Sequence, residues 1–76
     1  MKEARQQKYI KAFGQHMRKL RIAKGFSQQD IAFATDLEIS QISRIERGVI
    51  NTSIWQVSQI AEAINIEPSK FFEFEI

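Results

Sequence analysis

Glycine and proline are so scarce in this chain that they mark the ends of helices. The 76 residues include three glycines and one proline. Between residues 9 and 24, apolar side chains recur at steps of three and four, as on one face of an amphipathic helix. They are Ile10, Phe13, Met17 and Leu20. Gly25 follows, where a residue with positive φ commonly ends a helix. We therefore predict helix 1 from about residue 6 to 24.

Capping and terminating residues predict four more helices. Ser27 and Ser53 suit the position before a first helical residue, because a serine oxygen accepts a hydrogen bond from the free amides there. Pro68 suits the first turn of a short helix, and Gly48 and Asn65 suit helix ends. The predicted elements are helix 2 at about 28–35, helix 3 at about 39–47, helix 4 at about 54–64 and helix 5 at about 68–72.

Three local details complete this prediction. We expect Asp36, between helices 2 and 3, to take the left-handed conformation that a tight turn needs, because Asp tolerates it better than most residues. The terminal FEFEI sequence alternates apolar and acidic residues as a strand does, with no other strand in the chain to pair with. The apolar face of helix 4 is predicted to consist of Ile54, Val57, Ile60, Ala61 and Ile64.

Composition places these helices in one small domain. There is no cysteine, and therefore no disulfide framework or thiolate zinc site. A chain this short without such staples depends on efficient helix packing or on a partner chain. No apolar run approaches the roughly 20 residues that span a bilayer, and the polar N-terminus lacks a signal-peptide core. We expect a cytoplasmic, all-α, compact five-helix domain over residues 1–76, followed by a short extended segment.

The formal charge of +2 conceals a strong polarity along the chain. Residues 1–24 carry eight Lys and Arg and one acid, which gives +7. Residues 25–50 carry −2 and residues 51–76 carry −3. Lys2, Arg5, Lys8 and Lys11 step by three residues along helix 1. Either this ridge is a solvated helix face, or it adds salt-dependent affinity for nucleic acid.

Nothing in the sequence indicates catalysis. His16 is the single histidine and lacks companions at the spacing of a metal site or a general base, so we expect an ordinary surface histidine. Gly14 and Gly25 do not form a phosphate-binding loop. We expect no enzyme activity, no metal and no cofactor.

The stretch from Phe13 to Phe72 resembles the phage-repressor-like (Cro/XRE) family of DNA-binding domains. Two short helices are joined by TDL, the first opened by SQQ and the second closed by ERG. The similar segments are FGQHMRKLRIAKGFSQQDIA, DLEIS, QISRIERG and NTSI…IAEAINI. The resemblance implies a five-helix lambda-repressor-like fold with a helix-turn-helix, in which helix 3 enters the DNA major groove.

The resemblance also implies roles for individual residues. Arg44 suits a bidentate contact with guanine, and Ile39 can pack on a thymine methyl group. Arg21 and Glu46 are expected to form a structural ion pair. The candidates for base readout are Glu38, Ile39, Ser40, Gln41 and Arg44. The candidates for contact with the DNA backbone are Ser27, Gln28, Ser43, Arg47 and Asn51.

Two functions remain open at this point. The first is a sequence-specific transcriptional regulator that binds double-stranded DNA as a homodimer on a roughly palindromic operator, with no membrane association and no small-molecule effector. The second is a protein-interaction module, such as an antitoxin or accessory subunit, with weak or no DNA binding. Aromatic and apolar residues without an evident place in the core are candidates for a dimer interface. They are Trp55, Phe74 and Ile76.

Overall fold

The computed structural model describes residues 2–76, which form four α-helices and one 3₁₀ helix and contain no strand. The predicted all-α fold is therefore confirmed. The fifth helix is the 3₁₀ helix, and residues 73–76 continue from it without regular structure. The elements are α1 at Lys2–Ala23, α2 at Gln28–Ala34, α3 at Ile39–Glu46, α4 at Ile54–Ala63 and the 3₁₀ helix at Pro68–Phe72.

α1 begins four residues before the predicted start. Its first turns are rich in Lys, Arg, Gln, Glu and Ala, which favour helix without supplying an apolar stripe. The helix ends at Ala23, and Gly25 follows with a φ of 83°. Gly48 and Asn65 also have positive φ values, of 71° and 58°, at the ends of α3 and α4. The terminators therefore act as expected.

The core lies where one face of each helix meets the others. Val57, Ile60 and Ala61 on α4 pack with the buried faces of α1 and α3, and Phe71 closes the core from the 3₁₀ helix. Each of these aliphatic side chains contributes about 1.5–3 kcal/mol when fully buried. The buried apolar residues are Phe13, Met17, Ile31, Leu37, Ile42, Ile45, Val57, Ile60, Ala61, Ile64 and Phe71.

Two glycines let α1 approach the end of α3 closely. A Cβ atom added to Gly14 would lie 2.3 Å from the carbonyl oxygen of Ile45 and 2.7 Å from that of Glu46. A Cβ added to Gly48 would lie 2.5 Å from the Cα of Lys11. Because real side chains do not come so near, both positions exclude any larger residue. This packing fixes the end of α3 against the middle of α1.

The turn between α2 and α3 differs from the prediction. Asp36 does not take a positive φ. Thr35 instead adopts an extended conformation, and its hydroxyl donates to the carbonyl of Ile31 and accepts from the amide of Leu37, at 2.8 and 3.1 Å. A β-branched residue suits extended backbone. Asp36 accepts a hydrogen bond of 2.7 Å from Gln59 of α4, which ties the turn to the rest of the fold.

Ile54 was wrongly placed on the buried face of α4. It is the first helical residue, at the edge of the apolar stripe, and its side chain is 89% exposed. A period of 3.6 residues shows which side of a helix is apolar, but not where along its length a neighbouring helix covers that side.

Two predictions near the C-terminus also need correction. Phe74 is half-buried within its own chain, with its ring centroid 5.1 Å from that of Tyr9, rather than free for a partner. His16 is half-buried rather than a surface residue: its Nε2 lies 2.9 Å from the carbonyl oxygen of Lys70, and its ring lies against Phe74. Both contacts hold the C-terminal segment on α1.

Candidate nucleic-acid interface

α2 starts with a reciprocal cap that orients its free amide groups outward. The hydroxyl of Ser27 accepts from the amide of Asp30 at 3.0 Å, and the Asp30 carboxylate accepts from the amide of Ser27 at 2.9 Å. This capping box stabilises the start of the helix. The Ser27 hydroxyl is therefore used inside the protein, so a phosphate contact there would have to use the remaining amides.

A buried carboxylate connects the three helices of the candidate site. Glu46, at the end of α3, accepts from Arg21 Nε at 2.6 Å and from a second Arg21 nitrogen at 3.0 Å. It also accepts from Gln28 Nε2 at 3.0 Å. The same arginine donates to the carbonyl of Phe26, at 2.7 Å. The two residues expected to form an ion pair are thus in bidentate contact, and Gln28 joins them.

α3 buries one side and presents the other to solvent. Ile42 and Ile45 are completely or almost completely buried. Ser40 and Arg44 are exposed, and Ile39 is 43% exposed at the first position of the helix. The helix is therefore anchored by its back while its outer side remains available to a groove of DNA.

Two of the proposed base-reading residues have different roles at the start of α3. Gln41 is half-buried, and its side-chain oxygen accepts from the amide of Glu38 at 2.9 Å. This contact leaves the Gln41 amino group as a donor. Glu38 is exposed at the position before the first helical residue. Its carboxylate can accept from a cytosine amino group but repels phosphates.

The proposed contacts with the DNA backbone follow the end of α3. Arg47 is exposed, and its Nε donates to the hydroxyl of half-buried Ser43 at 3.2 Å, which leaves the terminal guanidinium nitrogens as donors. Asn51 is exposed in the following loop. Gln28 lies close to this end of α3 through its bond to Glu46. Gln28, Arg47 and Asn51 thus flank the recognition helix from two elements.

Two lysines of α1 line a groove at this end of α3, a placement that the sequence analysis missed. Lys8 and Lys11 line the same groove, of about 810 Å³, as Arg47 and Asn51. The regular spacing of the N-terminal cations was visible in the sequence. Their proximity to the loop after α3 was not, because it depends on the close approach of Gly48 to α1.

A second groove, on another side of α1, is apolar. Its volume is about 500 Å³, and it lies between α1, the start of α4 and the 3₁₀ helix. Ile54 stands at its edge, and the neighbouring Trp55 is 67% exposed. Ile76, another proposed interface residue, is 62% exposed. The lining residues are Tyr9, Ile10, Phe13, Ile50, Asn51, Thr52, Ser53, Ile54, Val57, Ser58, Pro68 and Phe72.

Within residues 2–76, no three His, Asp or Glu side chains come together in a way that could hold a metal ion. No helix in this part of the chain is long and apolar enough to cross a membrane. The arrangement can therefore be described chemically as a short exposed helix with hydrogen-bonding side chains, flanked by arginine and amide groups that bind anions.

The sequence and the fold both match known proteins. A helix-turn-helix family model matches residues 17–71. Control protein C.BamHI from Bacillus amyloliquefaciens is 38% identical over 63 residues, which cover 82% of this chain and 78% of that protein. The crystal structure of the restriction-modification controller protein C.AhdI from Aeromonas hydrophila has a TM-score of 0.79 and 41% identity, covering 83% of this chain and 96% of the other.

A third match includes DNA. The restriction-modification controller protein C.Esp1396I, solved as a tetramer in complex with its natural 35 base-pair operator, has a TM-score of 0.75 and 29% identity. The similarity covers 86% of each chain.

Proposed function

Because this chain belongs to the helix-turn-helix family, we propose that it is a sequence-specific DNA-binding regulator of transcription that acts as a homodimer. The observation that carries the proposal is the mounting of α3. Its inner side is buried, its end is held by the bidentate Arg21–Glu46 pair, and its outer side presents Arg44 and Ser40 to solvent. A rigid helix with an exposed polar side is what a reader of the major groove needs.

Each exposed residue has a chemical role in this proposal. Arg44 donates two hydrogen bonds to O6 and N7 of a guanine, and Ile39 packs against a thymine methyl group. Ser40, the Gln41 amino group and Glu38 are available to neighbouring base edges. The amides at Ser27 and the side chains of Gln28, Ser43, Arg47 and Asn51 hold the phosphates on either side. Contacts of this second kind fix the register of the protein without reading sequence.

The homodimer follows from the symmetry of such sites. Two copies of α3 would enter successive major grooves about 34 Å apart on a roughly palindromic operator. The apolar groove and the exposed Ile54, Trp55 and Phe72 beside it supply a surface that a second copy would cover. Large exposed apolar surfaces of this kind mark protein interfaces. The C.Esp1396I tetramer on its operator supports an oligomeric mode of binding.

The relatives also bear on the class of protein. The matched proteins with named roles are control and controller proteins, and none of the residues of the candidate site forms a catalytic group. We therefore propose a regulator without enzyme activity, working in the cytoplasm where its DNA is found. No bound effector is required, because occupancy of the operator follows protein concentration.

A selection from random duplex DNA tests the proposal. The wild-type chain should enrich a two-fold symmetric sequence whose half-sites lie about one helical turn apart. Retention on DNA should also decline steeply as salt rises, because several phosphate contacts release counterions. Failure to enrich any sequence, together with no retention even at low salt, would instead favour the protein-interaction module, for which exposed Phe33 on α2 offers a contact surface.

A further inference from the structure

The first half of α1 extends beyond the core. None of the side chains in residues 2–12 is fully buried, and the buried part of the helix begins at Phe13. At 1.5 Å per residue, these eleven positions add roughly 16 Å of helix. Packing in the core therefore does not explain why the chain maintains this segment.

Positive charge dominates the segment. Lys2, Arg5, Lys8 and Lys11 are all exposed, and Glu3 is the only acid among them. Within the described residues 2–76, the ion pairs are Arg21–Glu46 and Lys70–Glu73, so none of the four cations is paired with a carboxylate. They remain available to an external anion.

The arrangement of these cations is unfavourable for the isolated helix. The N-terminal end of a helix carries partial positive charge, which cations in the first turns repel. Like charges three residues apart also repel one another along the helix surface. A sequence that breaks both local preferences gains from a bound anion, because the anion removes the repulsion. Departures from local rules of this kind are expected at functional surfaces.

The position of two of the cations indicates which anion. Lys8 and Lys11 line the groove of about 810 Å³ whose other wall includes Arg47 and Asn51. Gly48 approaches the backbone of Lys11, so the two walls are held together by packing. Three cations and one carboxylate, Glu3, are the charged groups of this groove. It is thus a positively charged extension of the surface proposed to hold phosphates.

We propose that Lys8 and Lys11 bind backbone phosphates of the DNA duplex next to those bound by Arg47, and so lengthen the contact made by each protomer. This inference rests on the proposed function, since it places the phosphates from the loop that follows the recognition helix. The contacts are independent of base sequence. They increase affinity for every duplex equally and increase its dependence on salt.

The test compares the full-length wild type with Lys8→Gln/Lys11→Gln. The probes are a fluorescent duplex enriched by the wild type and a scrambled duplex of equal length, titrated at a series of KCl concentrations. Each lost phosphate contact lowers the slope of log K against log salt by about 0.9, so the double variant should lose about four units per dimer. Over a fourfold range of salt, this equals a relative difference of roughly 100-fold. The preference for the enriched duplex should be unchanged.

Lys19→Gln/Lys70→Gln is the matched control. It also removes two positive charges from exposed positions, but neither residue lines the groove. Its slope should stay close to that of the wild type. Lys8→Arg/Lys11→Arg retains the charges and should retain the slope, and circular dichroism of all variants checks that α1 still forms.

The possible results are distinguishable. A lower slope in the Gln variant alone supports the inference. Equal slopes in wild type and both Gln variants overturn it and leave the proposed function standing, whereas absence of wild-type binding at low salt contradicts the proposed function itself. An unchanged slope with weakened self-association of Lys8→Gln/Lys11→Gln would show that the groove binds the acidic C-terminal third of a second copy instead.

Discussion

Among single residues, Glu46 contributes most to the geometry of the site. Its side chain is almost completely buried and accepts hydrogen bonds from Arg21 of α1 and Gln28 of α2, while its backbone ends α3. One carboxylate thus fixes the relative positions of the three helices that surround the recognition surface. The bidentate contact with arginine adds directional constraint to the charge attraction.

Glu46→Ala should destabilise the protein by about 3–5 kcal/mol, because Arg21 would remain buried without its counter-ion. Urea unfolding followed by circular dichroism measures the change. The double variant Arg21→Met/Glu46→Leu removes both charges and should lose less stability than Glu46→Ala alone. If the single variant unfolds like the wild type, the pair does not hold the helices together.

Gly14→Ala should destabilise the protein by about 1–3 kcal/mol, although alanine favours helix over glycine. The added Cβ would lie 2.3 Å from the carbonyl oxygen of Ile45, so α1 and α3 would have to separate. Gln15→Ala, at an exposed position one residue later, is the control and should change stability by less than about 0.5 kcal/mol. Thermal unfolding compares the two. A Gly14→Ala protein as stable as the control would contradict the close packing.

At the scale of elements, the sequence predicts helix ends better than it predicts turns. The serine caps at positions 27 and 53 and the positive φ values of Gly25, Gly48 and Asn65 follow from local chemistry and are present in the structure. The turn between α2 and α3 was predicted wrongly. Thr35 closes this turn because Asp36 bonds to Gln59, a contact between residues 23 positions apart that no local pattern shows.

Thr35→Val should cost about 1–3 kcal/mol, because the half-buried amide of Leu37 would lose its acceptor and the carbonyl of Ile31 would lose a donor. Thr35→Ser keeps the hydroxyl and should retain most of the stability. Chemical denaturation of both variants gives the comparison. Equal losses in Val and Ser would show that packing of the methyl group, rather than the hydroxyl, supports the turn.

The candidate site was only partly predictable for a similar reason. The pairing of Arg21 with Glu46 was implied by family resemblance, whereas the bond between Gln28 and Glu46 depends on the angle between α2 and α3. The exposure of Ile54 and the contact of Lys11 with Gly48 also depend on how neighbouring helices cover one another. Periodicity identifies the faces of each helix, but tertiary packing decides which faces meet.

At the scale of the whole molecule, the polar and apolar surfaces occupy different sides of α1. Lys8 and Lys11 line the positively charged groove, while Tyr9 and Phe13 line the apolar one. A protomer with this division can contact DNA on one side and a second copy on the other. Dimer formation would then double the number of phosphate contacts and couple DNA affinity to protein concentration.

Ile54→Lys should weaken the dimer at least about tenfold, because a lysine would introduce a charge into an apolar interface. Since Ile54 is 89% exposed in the protomer, the fold should be unaffected. Sedimentation equilibrium measures the association. Phe33→Ser alters an exposed apolar residue outside the groove and should leave the dimer unchanged. Equal association of both variants would place the dimer interface elsewhere.

The most direct test of the account is the effect of Arg44→Ala on base preference, measured as the ratio of affinities for the enriched and scrambled duplexes at one salt concentration. If Arg44 reads a guanine from α3, this ratio should fall roughly 5- to 150-fold, with unfolding stability unchanged because the side chain is exposed. Arg44→Lys keeps the charge without the two-pronged donor and should lose preference as well. An Arg44→Ala protein with the affinity and base preference of the wild type would contradict the assignment of α3 as the recognition helix.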